Sequence, residues 1–222
     1  MKTSALIGYA AALIAGTAMA ASQPALLTHK QAHIFITGAP PGSKTLYDQN
    51  RDPSGSWVSS QPSENGFSET QAADDFVVPE GHTWIIKQVD VTGIYFNGSG
   101  PANYENVFFY RDKGGLPGDL VAQCPNQHGA ENGFGSLAIV LAKACKAKLR
   151  GGKTYWVSVQ VSVDFFSGGQ WDWNLSTDTS GNQAAWQSPD SETCPTWGHI
   201  KHCFGLDGDL MFALRGRDRL TH

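Results

Sequence analysis

Apolar and polar positions alternate along residues 154–165, TYWVSVQVSVDF. Tyr155, Val157, Val159, Val161 and Val163 fall on one side; Trp156, Ser158, Gln160, Ser162 and Asp164 fall on the other. A period of two is the repeat of an extended chain, so the pattern predicts a half-buried β-strand with its valine face turned to a core. DLMFALRG repeats the pattern with Leu210, Phe212 and Leu214, and SLAIVLA repeats it with Leu137, Ile139 and Leu141. In QWDWNLS, Trp171, Trp173 and Leu175 share one face and Asp172, Asn174 and Ser176 the other. The apolar triple is expected to join the valine face in the core. Further strand candidates are DDFVVP, TWIIKQVDVTGIYF and NVFFYRD, bounded by Pro79-Glu80-Gly81, residues 97–101 and KGGLPGD. Glycine and proline at those boundaries favour turns. Many short strands at this spacing predict an all-β chain folded as an antiparallel sandwich.

Composition agrees with that reading: the 222 residues include 25 Gly, 11 Pro, 11 Phe, 7 Trp and 6 Tyr, and few long amphipathic stretches. Lys2, the apolar run 5–15 and Ala18-Met19-Ala20 read as a signal peptide over 1–20. No later stretch approaches the roughly 20 unbroken apolar residues of a membrane span. The expectation is a secreted protein, extracellular or periplasmic, with a leader over 21–44, one sandwich domain over 45–216 and a tail over 217–222. Loss of Lys2 makes the formal charge of −4 one unit more negative, and no basic block exists. Nucleic acid and anionic lipid are therefore poor candidates as partners. A monomer is expected.

Four cysteines in an exported chain imply two disulfides, for which three connectivities exist. The sequence-local one, Cys124 with Cys145 and Cys194 with Cys203, is expected. The first bond would tie the loop after the turn at 114–118 to the end of the strand that starts at Ser136. The second would close CPTWGHIKHC. A zinc site from His199, His202 and Cys203 is the rival reading, but it lacks a Cys-x-x-Cys knuckle.

The motifs LYDQN, QAADDFVVPEGHTWIIKQVDVTGIYFNG, FFYRDKGGLPGDLVA, LRGGKTYWVSVQ, QWDWN, AAWQSP, CPTWGHIKHC and DLMFALRG, in this order, resemble a domain family of exported bacterial proteins. The resemblance covers about residues 45–216. It implies a jelly-roll-like β-sandwich whose first and last strands lie side by side. The family carries no established activity, so no catalytic residue is transferred.

The chemistry open to the chain narrows from there. No Gly-x-Ser-x-Gly elbow is present, and the seven histidines are scattered. A hydrolase would need a pair of converging carboxylates, and the acids outside loops are mostly aspartates that suit backbone capping. With the first and last strands adjacent, Asp74 or Asp75 could approach Asp207 or Asp209 and hold a structural calcium ion. No other cofactor is implied. Sugar recognition needs an aromatic platform with polar groups beside it. Trp156 is the one large aromatic on the polar face of its strand; with Gln160 it could meet Asp172 and Asn174 of a neighbouring strand. The leading expectation is a non-catalytic domain that binds an extracellular polysaccharide through these four residues. A structural or accessory cell-surface protein acting through protein contacts is the alternative, and a hydrolase with an Asp pair the second.

Overall fold

The computed structural model describes residues 38–63, 68–145 and 147–221. The expected signal peptide and most of the expected leader lie outside them. The chain is all-β with antiparallel pairing throughout, in three sheets around one apolar core.

The first sheet is built on β11 (Lys153–Ser162), flanked by β3 (Gln71–Val78) and β6 (Tyr104–Asp112). Beyond β3 lie β13 (Ala185–Gln187) and β14 (Gly198–His199), and beyond β6 lies β7 (Pro117–Gln127). The second sheet runs β1 (Lys44–Asp48), β16 (Phe212–Leu220), β4 (His82–Val91), β9 (Leu137–Val140) and β8 (Ala130–Glu131), with β10 (Lys148–Arg150) also on β4. The third sets β12 (Gln170–Ser176) between β2 (Pro53–Ser59) on one side and β5 (Gly93–Phe96) and β15 (Asp209–Leu210) on the other.

The second and third sheets are one bent layer, because two strands pass through both. Thr92 alone separates β4 from β5, and Met211 alone separates β15 from β16. The corner is pinned by three backbone bonds: Thr92 N to Met211 O at 3.1 Å, Met211 N to Asn174 O at 3.0 Å and Asn174 N to Thr92 O at 3.0 Å. Strands that bend from one sheet into another close the corners of β-sandwiches in this way.

The core lies between this layer and the first sheet. Phe76 on β3 stacks on Trp84 of β4 with centroids 6.1 Å apart, and meets Phe212 of β16 edge-on at 6.3 Å. Trp171, Trp173 and Leu175 join the cluster with Tyr155, Val157, Val159 and Val161, as the alternation in both strands requires. Their indole N–H groups are not stranded: Trp171 donates to Gly135 O at 2.7 Å and Trp173 to Met211 O at 2.9 Å. Gly93 lets the Trp171 ring lie flush on β5, since a Cβ there would come within 2.4 Å of the indole.

Both expected disulfides are present, Cys124–Cys145 and Cys194–Cys203. Cys124 differs from expectation in standing within β7 rather than in a loop. The last strand also continues past Gly216 to Leu220, paired with β4 as far as His82, where a tail was expected. The first strand does lie beside the last, with Lys44 opposite Gly216.

Candidate functional site

The sequence reading treats β11 as half-buried. In the structure both its faces are covered, because it is an inner strand and loops close over its polar side. Trp156 is 0% exposed; it packs with Ala73 and Ala185 beneath Tyr110, Leu116 and Trp197, and its indole N–H donates to Asp112 Oδ1 at 3.0 Å. Gln160 spends its amide on the hairpin beside it, donating to Thr70 O and Glu69 Oε1 at 3.0 Å each. Asp172 and Asn174 stand on β12, which pairs with β2, β5 and β15 and not with β11. The four residues therefore form no common exposed patch, and Trp156 and Gln160 are corrected to structural roles.

Asp74, Asp75 and Asp209 do come together, while Asp207 does not. Asp74 accepts from Leu210 N at 2.6 Å, Gln49 Nε2 at 2.7 Å and Asp75 N at 2.8 Å. Asn182 donates twice to Asp75, from its backbone N–H to Oδ1 at 3.0 Å and from Nδ2 to Oδ2 at 2.7 Å. Asp209 accepts from Ser180 N at 2.6 Å and Ala184 N at 3.3 Å. Burial, and then the charge of Asp209, hold the Asp74 carboxyl well above the usual range; burial first pushes Asp75 up to about 6. These carboxylates fasten loops 178–184 and 206–210 to β3 by bonding backbone N–H groups, the capping role of buried aspartates. Asp207 points outward, its side chain 70% exposed, and pairs with Lys201 at 2.8 Å. Among the described residues no group of three or more His, Cys, Asp or Glu side chains is arranged to hold a metal ion.

The polar face of β12 opens elsewhere. Cα register places Asp172 opposite Ser59 and Asn174 opposite Trp57 on β2, and Gln170 opposite Phe96 on β5. Directly paired residues share a sheet face, so these side chains gather on the side of β12 away from Trp171 and Trp173. There all of them but Asn174 line an open groove of about 400 Å³. Its walls are Trp57, Phe96, Trp186 and Phe204, with Leu206 and Val58, and its polar groups are Ser59, Gln170 and Asp172. The volume lies within the range of small-molecule sites.

Each wall is held in place. Trp186 stands on β13, between β14 and β3 in the first sheet, and reaches across to β2 by donating its indole N–H to Ser59 O at 2.8 Å. Phe204 meets the Trp186 ring edge-on, with centroids 4.7 Å apart at 70°. It follows Cys203 at the end of the helical turn Ile200–Phe204, so the Cys194–Cys203 bond fixes the segment that carries it. Asp172 is 3% exposed and accepts from Gln170 Nε2 at 2.7 Å. Burial pushes its carboxyl up to about 6, with the Gln170 bond acting in the opposite direction. One turn of the pleat further on, Asn174 Oδ1 is buried without a hydrogen-bond partner among the described residues.

Of the expected ligand residues, Asp172 lines this groove. Trp57, Trp186, Phe96 and Phe204 were not singled out as a site by the sequence, where they are scattered over nearly 150 positions. Trp57 and Trp186 do stand alone in polar contexts, PSGSWVS and AAWQSP, but nothing in their spacing joins them. No family model matches the chain, and no curated protein matches it.

Proposed function

We propose that the protein is a non-catalytic binding domain that recognises an extracellular glycan in the groove between β2, β12 and β13. The observation that carries this reading is the lining: four aromatic rings beside a buried carboxylate and an amide. Indole and phenyl faces pack against the C–H face of a sugar ring, while Asp172, Gln170 and Ser59 offer hydrogen bonds to its hydroxyls. Two disulfides and the motif resemblance to exported bacterial domains support a secreted, extracellular or periplasmic setting. Among the described residues no helix is long and apolar enough to cross a membrane.

The Asp-pair hydrolase gains no support, since Asp74 and Asp209 are buried and bonded to backbone N–H groups. The protein-contact reading has one observation in its favour: Phe166 is 85% exposed and Phe134 59%. Co-sedimentation with a panel of insoluble polysaccharides tests the glycan reading. Retention on at least one polymer, abolished by Trp57→Ala, is expected; absence of retention on all of them, with a surface protein captured through Phe166, would favour protein contact.

A further inference from the structure

We infer that the groove selects a glycan bearing free ammonium groups, an amino sugar whose nitrogen is not acylated, with that nitrogen placed at Asp172. The inference rests on the reading of the groove as a glycan site and adds the chemistry of the sugar.

Three observations point the same way. Asp172 is the one charged side chain among the described residues that line the groove, and it is almost fully removed from solvent. Its hydrogen-bond donor, Gln170, is a neutral amide. A buried carboxylate with no cation beside it carries an uncompensated desolvation cost, and an incoming ammonium removes that cost through a charge-assisted hydrogen bond.

The walls favour the same sign of charge. The faces of Trp57, Trp186, Phe96 and Phe204 are electron-rich, and aromatic rings grouped around a cation are a recurrent means of binding amines. A uronate or sulfated sugar would meet Asp172 with no Lys, Arg or His in the lining to offset it, which selects against acidic polymers. The net charge of −4 adds a long-range attraction for a polycationic chain.

The experiment titrates the full chain near neutral pH with matched oligosaccharides of glucosamine, N-acetylglucosamine and glucose, followed by calorimetry. The glucosamine oligomer is expected to bind at least about tenfold more tightly than the other two. Asp172→Asn, with folding checked by its thermal melt, should erase that preference. Equal or tighter binding of the acetylated or glucose oligomer overturns the ammonium inference and leaves the glycan reading standing. An unchanged preference in a folded Asp172→Asn protein also overturns it. Failure of all three oligomers to bind overturns the ammonium inference, and the glycan reading is then decided by the polysaccharide panel.

Discussion

Gln170 and Asp172 lie two positions apart on one face of β12, and the Gln170 amide donates to Asp172 Oδ1 at 2.7 Å from within the groove. Burial holds that carboxyl at about 6. A pKa raised by folding means that the native state keeps a proton the unfolded chain has already lost, so this contribution to stability fades as pH rises from about 4 through about 6. Asp172→Asn removes the titration and preserves an acceptor for Gln170. The variant should be more stable than wild type by up to about 3 kcal/mol above pH ~7, with the gap closing near pH ~4. Paired thermal melts across that range check the sign.

The same sign applies to a larger set. Burial is the first cause of upward shifts at Asp74, Asp75 and Asp209, and at Glu105, whose carboxyl reaches about 7. Each favours the native state on the acidic side and loses that contribution as pH climbs through its folded value. The melting temperature of the whole chain is expected to fall between about pH 5 and about pH 8. A melting temperature that rises over that interval would contradict the burial of these acids.

The two disulfides are separable by readout. Closing a loop of 9 residues' separation between Cys194 and Cys203 is worth about 2–3 kcal/mol on the loop-entropy argument, and 21 residues' separation between Cys124 and Cys145 about 3 kcal/mol. Replacing either pair with serine should lower stability by those amounts in denaturant melts. The Cys194/Cys203 replacement should also weaken polysaccharide retention, because it frees the turn bearing Phe204. The Cys124/Cys145 replacement should leave retention unchanged.

Trp156 separates a core role from a ligand role. Trp156→Phe keeps most of the ring volume but deletes the bond to Asp112. The expected result is a loss of about 1 kcal/mol in denaturant melts with unchanged polysaccharide retention. Retention lost at unchanged stability would restore Trp156 as a ligand platform.

Alternation made the core legible. Val157, Val159, Val161, Trp171, Trp173 and Leu175 could be placed face to face from their spacing alone, because a strand has a strict period of two and the core admits only one of its faces. Local cysteine pairing was legible for a similar reason, since short separations keep both ends of a bond close. Which segment covers Trp156 was not legible: the cover includes Trp197, brought over β11 by a loop closed at Cys194 and Cys203. Neither was the partner of β12. Its sequence neighbour β11 was the natural choice for pairing, yet the chain crosses at residues 163–169 from the first sheet to the other layer, where β12 meets β2 and β5. The groove inherits that difficulty, since Trp57 and Trp186 meet only through the register of β2 on β12 and of β13 on β3.

Ligand binding in the groove is read most directly from the indole N–H signals in an NMR titration with a polysaccharide fragment that the protein retains. Trp57 and Trp186 line the groove, whereas Trp171, Trp173 and Trp156 are wholly buried and form no part of its lining. The signals of Trp57 and Trp186 are expected to shift on saturation while those three stay in place. Movement confined to Trp156, or saturable binding that leaves Trp57 and Trp186 untouched, would contradict binding in the groove.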